Sequence, residues 1–316
     1  MNILVTGGAG YLGAVIVPAL LREGHEVTVI DNFMFNQISL LDCCMNERLA
    51  IVRGDAVDRE TLYPCLKKAD AVFPLACLTG APLCDREPEL ARRVIIDGLK
   101  LILDLRTDKQ KIIYPTTNSG YGVGEKGKFC TEETPLRPIS LYGKLKVEAE
   151  EMVLKNRGGI TLRLATAFGV STRPRLDLLV NDFTYQAYFK GHIELFEGHF
   201  KRNYIHVRDI ARAFIHMLNN YDKYKGEAFN VGLSDANLSK KELCEEIQKQ
   251  LPDFTFTENH GGKDPDQRDY IVSNEKIEAT GFRPEVSLGM GISELIKSFQ
   301  VIQQGRRREV HFANVD

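Results

Sequence analysis

The chain opens with a short apolar run, NILVTG, and continues into AVIVPALLREG, whose apolar positions suit a helix packed on one face. HEVTVID, LAIVRGD, ADAVFPLA, KIIYPTT and ITLRLATAFG follow as strand-length runs rich in Val, Ile and Leu. Runs of that kind suit strands buried on both faces. Helical stretches separate them, one around Ala91 to Leu105, and ISLLDCCMN reads as another with Cys43 and Cys44 as a small apolar pair. Strands alternating with helices predict βαβ units, right-handed connections and a doubly wound parallel sheet, an α/β fold.

After about Ala165 the alternation weakens. STRPRLDLLVNDFTYQAYFKG reads as a loop and helix, and KRNYIHVRDIARAFIHMLNN as a strand running into a helix near Asp209. GEAFNVG is a further β run, and LSKKELCEEIQKQL begins with a capping box, Ser239 with Glu242. This divides the chain into a sheet domain over 1–165 plus about 203–233, and a smaller interleaved domain over 166–202 and 234–316. The arginines of QQGRRREVHFANVD read as a solvated tail or a subunit contact.

With 316 residues, 43% of them hydrophobic, the chain has ample material for a large core. Lys plus Arg number 41 against 43 Asp plus Glu, a net charge of -2, so neither nucleic acid nor an acidic membrane is an expected partner. No apolar run reaches bilayer length. The first residues enter a strand directly, and seven cysteines without metal-ligand spacing suggest reduced thiols and no metal. The expectation is a cytoplasmic protein without a signal peptide.

Gly7, Gly10 and Gly13 form G-x-x-G-x-x-G between the first strand and first helix. Such a turn needs backbone that a side chain would obstruct, and its amides and helix N-terminus face one spot suited to a diphosphate. Asp31 ends the second strand about 18 residues on. A carboxylate there accepts from ribose hydroxyls and repels a 2′-phosphate, which predicts NAD rather than NADP. Asp55, after the third strand, is placed either to read an adenine amino group or to cap AVDRETLYPCL.

Tyr142 and Lys146 stand four apart on an expected helix and so share a face. A phenol is a weak base at its usual pKa of about 10, and a nearby ammonium lowers that value. Thr117 ends the KIIYPTT strand, at the crevice where open α/β sheets bind ligands, and its hydroxyl suits a substrate alcohol.

TGGAGYLG, Asp31, TTNSGYG and YGKLK together resemble the extended short-chain dehydrogenase/reductases that act on nucleotide sugars, the NAD-dependent epimerase/dehydratase family. RNYIHVRDIA and ATGFRPEVSLGMGI are similar to that family's later segments. The resemblance implies a Rossmann domain with NAD, a smaller domain for a nucleotide-diphosphate sugar, and a homodimer or homotetramer. It makes Thr117, Tyr142 and Lys146 the catalytic triad. Tyr11, Leu12, Asn32, Ala56, Leu75, Ala76 and Ala165 join the glycines, Asp31, Asp55, Tyr142 and Lys146 around the cofactor. Asn118, Ser119, Thr166, Asn181, Arg202 and Arg268 fall to the substrate.

Departures from the family pattern narrow the chemistry. Family dehydratases carry an Asp-Glu pair after the catalytic Thr, where this chain has Asn118-Ser119, so water elimination is not expected. A cysteine for epimerisation at carbon 3 or 5 is missing as well. Oxidation and reduction at one carbinol remain, most simply carbon 4, by a dehydrogenase or a 4-epimerase. A non-catalytic NAD-binding regulator is the other class of reading. Pro74 replaces the family's usual histidine in PLACLTG.

Overall fold

The computed structural model describes residues 1–156, 158–259 and 268–302. β1 (Asn2–Thr6), β2 (Glu26–Asp31), β3 (Leu49–Arg53), β4 (Ala71–Pro74) and β5 (Lys111–Thr117) share one sheet with strands Ile160–Leu164 and Ala228–Val231. Across the sheet the order is Ala228–Val231, Ile160–Leu164, β5, β4, β1, β2, β3, every pair parallel. The expected doubly wound sheet is therefore present. The chain builds outward from β1 to β3, then returns beside β1 with β4 and builds the other way. That reversal opens a crevice at the carboxyl ends of β1 and β4, beyond Thr6 and Pro74.

Burial follows from position in the sheet. Every residue of β4 and of Ile160–Leu164 is buried, because helices cover both faces there. β3 lies at an edge, and its Ala50 and Ile51 are exposed. α1 (Gly13–Arg22) packs Ile16, Val17, Leu20 and Leu21 inward. The helix expected from Ala91 to Leu105 begins earlier, at Pro88, and passes through a π-type turn at Arg93–Asp97.

Two expectations change. ISLLDCCMN contains only a single 3-10 turn, Leu41–Cys43. Ile38, Leu41 and Met45 stay exposed while Leu40 alone among its large apolar side chains is buried, so the segment offers no continuous apolar face to hold a helix. ITLRLATAFG is two strands rather than one. The Ala165 amide still donates to Val231 in the large sheet at 2.9 Å, and Thr166–Phe168 then pairs with Tyr204–His206. Ala165 is thus the corner at which the chain leaves the large sheet for a smaller one made of Thr166–Phe168, Lys201–His206 and Asn237–Ser239. The capping box forms as expected: the Glu242 amide donates to Ser239 Oγ at 3.2 Å, and the Ser239 amide to Glu242 Oε2 at 2.7 Å. The arginine-rich stretch and the terminal FAN lie outside the described residues.

The Leu141–Lys155 helix covers one face of β5 and Ile160–Leu164. Ser140 caps it by accepting from the Gly143 amide at 3.1 Å. Its Glu150 carboxylate receives Arg163 Nε at 3.0 Å and Nη2 at 2.7 Å, and both side chains are buried. Arg163 also donates to the Tyr121 hydroxyl at 3.0 Å and the Glu132 carbonyl at 3.0 Å. Removing one member of such a pair leaves a buried charge uncompensated. Arg163→Met is expected to lower the unfolding free energy by about 3–5 kcal/mol, read as a fall in the urea midpoint.

Candidate active site

The glycine turn links β1 to α1 at the crevice. Gly7 has φ +69°, and a Cβ there would lie 2.6 Å from the Ala76 amide nitrogen. A Cβ on Gly13 would lie 2.3 Å from the Gly8 carbonyl oxygen. Only glycine allows this close approach of turn, helix and β4 loop. Leu12, at the head of α1, provides no side-chain cap, and the first turn has no acidic residue. The Ala14 and Val15 amides donate to the Gly10 and Leu12 carbonyls at 2.8 and 3.0 Å, so the donors available to an anion are those of the turn that precede Ala14.

A cleft of about 300 Å³ extends from this turn. Gly7, Gly10, Tyr11, Leu12 and Gly13 line it, and the Tyr11 hydroxyl donates to the Gly169 carbonyl at 2.9 Å. Asp31, Asn32, Asp55 and Ala56 form one end, and Leu75, Ala76 and Ala165 the middle. The Asp31 carboxylate is buried and accepts from the Ala9 amide at 2.9 Å and the Phe33 amide at 2.8 Å. Burial raises its pKa above the usual carboxylate value, opposed by these bonds, by Gln37 and by the Arg173 charge. Asp55 reaches the cleft, while the cap of the following helix is Asp58, which accepts from Thr61 at 3.0 Å. The cap reading of Asp55 gives way for that reason. An acidic ribose-side residue, a glycine turn in contact with β4 and an uncapped helix suit a dinucleotide diphosphate.

Thr117, Ser119, Tyr142, Thr166 and Arg268 line the other part of the same cleft. Thr117 Oγ1 donates to Ser119 Oγ at 3.0 Å, and the Arg268 guanidinium donates to that serine oxygen. Tyr142 is half-buried, and its phenol pKa is raised, first by burial and then by the Cys77 and Cys84 thiols. Arg175 and Arg268 oppose that shift by favouring the phenolate. Lys146 is buried behind the cleft wall, one helical turn on, and burial lowers its pKa. Cys77 and Cys84 influence both groups, which places Tyr142 and Lys146 in one neighbourhood. Each of these thiols donates to the Leu78 carbonyl at 3.2 Å, and burial pushes Cys84 up to about 12.

Three predicted substrate residues lie off the cleft wall. Asn181 is buried; its oxygen accepts from the Gly169 amide at 2.9 Å and its nitrogen donates to the Arg175 carbonyl at 2.9 Å. That amide supports the loop from within and does not line the cleft. Arg202 is buried and does not line the cleft; its guanidinium carbon lies 5.8 Å from the ring centroid of Tyr270, which does. Asn118 is buried, and its amide has no hydrogen-bond partner among the described residues.

Arg173 and Arg175 line the cleft and were not anticipated. Arg173 lies over the Phe35 ring at 4.7 Å. Arg175 grips Asp177, with Nε to Oδ1 at 2.6 Å, and donates to Thr79 at 3.1 Å. Their sequence signal was TRPR, two arginines astride a proline just beyond a strand that ends at the crevice. Among the described residues no His, Cys, Asp and Glu cluster is arranged to hold a metal ion, and no helix is long and apolar enough to cross a membrane.

The NAD dependent epimerase/dehydratase family matches residues 3–232, and the chain belongs to it. It is an enzyme fold that uses NAD. The Haloferax volcanii low-salt glycan biosynthesis protein Agl12 is 28% identical, over 94% of this chain and 97% of its own. A UDP-glucose 4-epimerase from Corynebacterium glutamicum is 26% identical, over 90% of this chain and 91% of its own. The Thermotoga maritima UDP-glucose 4-epimerase, solved with UDP-glucose, superposes with a TM-score of 0.83 at 25% identity, covering 96% of this chain and 100% of that one.

If Asp31 receives the adenosine ribose, Asp31→Ala should weaken NAD binding about tenfold or more by calorimetry. The same change should narrow the preference for NAD over NADP.

Proposed function

We propose that this enzyme oxidises carbon 4 of a nucleotide-diphosphate sugar, with GDP-heptose the preferred substrate and a 4-keto sugar nucleotide for surface polysaccharide the product. The observation that carries this reading is the shared cleft, with Thr117 and Tyr142 at one part and the glycine turn at another. YPTTNSGYG, PLRPISLYGK, RLATAFGVSTRPRLDLLVNDF and FAN are similar to the GDP-D-glycero-α-D-manno-heptose 4-dehydrogenase of bacterial capsular pathways, which supports the choice of sugar. Residues 1–165 and about 203–233 hold NAD, residues 166–202 and 234–316 hold the sugar nucleotide, and the enzyme works as a cytoplasmic homodimer or homotetramer.

Tyr142, ionised, removes the proton from the carbon 4 hydroxyl, and Thr117 holds that hydroxyl in line. NAD, when bound, supplies the ring that accepts the hydride from the same carbon. Arg175 and Arg268 favour the ionised phenol with their charge, and in this reading the Lys146 ammonium, one helical turn on, adds to them. Guanidinium groups at 175 and 268 suit the anionic part of the substrate, because their planar forks match phosphate oxygens. Binding of that remote anion orients the ring for reaction. Asn118 and Ser119 provide no strong acid or base, so the ketone is not driven on to lose water.

A 4-epimerase is the second reading, favoured by the similarity to the two UDP-glucose 4-epimerases above. It uses the same phenol and threonine but returns the hydride to the other face of carbon 4.

Thermal stabilisation by GDP, UDP, CDP and dTDP should single out GDP. Incubation of GDP-heptose with NAD should yield a keto sugar and NADH, whereas an inverted alcohol without net NADH identifies the epimerase. Tyr142→Phe is expected to reduce turnover at least about 100-fold, and persisting turnover in that variant sinks the assignment of the base.

A further inference from the structure

The Lys146 ammonium, 3% exposed, donates to the Tyr114 hydroxyl at 2.8 Å and lies 4.1 Å from the centroid of that ring. Tyr114 is itself 3% exposed, on β5 three residues before Thr117. The Thr116 hydroxyl donates to the Lys146 carbonyl at 3.5 Å, so the strand face that carries residues 114 and 116 receives the Leu141–Lys155 helix. A phenol in so apolar a strand loses its hydration, and the lysine is the hydrogen-bond partner that compensates it. A phenylalanine would fill the same space without holding the amine.

We propose that Tyr114 is a positioning residue that fixes the Lys146 ammonium and keeps it charged, and thereby sets the alkaline limit of the reaction. The proposal rests on the assignment of Tyr142 as base. One of the three amine donors is used by Tyr114, which leaves two for the cleft side. Bonding to the ring oxygen and resting over the ring also stop a flexible four-carbon stem from sampling other rotamers.

The groups that face this amine come from several elements. Cys77 comes from the loop after β4, Cys84 from the Ala81–Arg86 helix, Tyr114 from β5 and Glu150 from its own helix, and Tyr142 acts on the same Tyr114 phenol. Glu150 is committed to Arg163, and burial raises the pKa of both thiols, so neither thiol offers a ready counter-charge. Tyr114 stays neutral because burial raises its own pKa. A neutral acceptor bonded to the charged form of an amine favours that form. Without it, burial lowers the lysine pKa further, and the ammonium needed beside the phenolate is lost at a lower pH.

The test is Tyr114→Phe in the NAD-loaded enzyme, with kcat and KM measured against pH and Lys146 titrated by NMR of ε-13C-labelled lysine, assigned with Lys146→Arg. The expected result is a Lys146 titration about 1–2 pH units lower, an alkaline limb of kcat displaced equally, and KM changed less than about twofold. An unmoved titration and limb overturn the proposal, as does a uniform loss of kcat at every pH. If the Phe variant does not fold, 3-fluorotyrosine at position 114 keeps the ring shape, weakens the acceptor and is expected to move both readouts the same way by less. The NMR titration needs no turnover, so failure of the wild type to oxidise any sugar nucleotide would count against the functional reading while the Tyr114 contact is still tested.

Discussion

The buried pair between Glu150 and Arg163 sets the rotation of the Leu141–Lys155 helix against the sheet. Arg163 lies opposite Thr116 of β5 in the ladder, so the strand that holds the arginine also registers the strand that ends in Thr117. Glu150, Lys146 and Tyr142 recur every four residues along the helix, which puts them on one stripe. Fixing the carboxylate at one end of that stripe fixes where the phenol emerges at the other. The cost of burying two charges is offset by several hydrogen bonds on Arg163, three of them to Glu150 and two to Tyr121 and Glu132. An apolar contact at the same place would permit the helix to slide, whereas this pairing has one geometry.

Charge along the cleft follows a consistent arrangement. Arg173 sits within electrostatic reach of Asp31 at one end of the cleft, and Arg175 and Arg268 both influence Tyr142. Their positions are secured by neutral or paired partners: Pro174 for Arg173, Asp177 and Thr79 for Arg175, Ser119 for Arg268. A guanidinium held in this way is already oriented when an anion arrives, so little is spent on ordering it. The loop that carries two of these arginines is tied to the glycine turn, because Ser171 donates to the Tyr11 carbonyl at 3.0 Å and Thr172 to the Ser39 carbonyl at 3.0 Å.

The parts of this arrangement that could be read from the chain are those whose physics is local. Gly7, Gly10 and Gly13 announce a tight strand-to-helix turn, and Asp31 lies at a strand end by simple counting. Tyr142 and Lys146 share a face by helical period, and Ser239 with Glu242 announces its own cap. Asn181 and Arg202 behaved otherwise, since whether a polar side chain faces a cavity or supports a loop depends on partners distant in the chain. Tyr114 was invisible for the same reason: its lysine is 32 residues away and its strand reads as plain core. ITLRLATAFG has an uninterrupted β composition, and nothing in it marks Ala165 as the residue at which one sheet is exchanged for another. ISLLDCCMN shows the opposite failure, an apolar content sufficient for a helix but no contact to make it one.

The sheet order has a consequence for how the protein is made. Ile160–Leu164 receives its outer neighbour only from Ala228–Val231, after the chain has gone through the Thr166–Phe168 and Lys201–His206 strands. A ribosome that has released the first 200 residues therefore presents a six-stranded sheet with an open hydrogen-bonding rim, the sort of surface that recruits other nascent chains. A fragment ending near Ala165 keeps that rim permanently. Expression of the amino-terminal part alone is thus a poor route to a coenzyme-binding fragment.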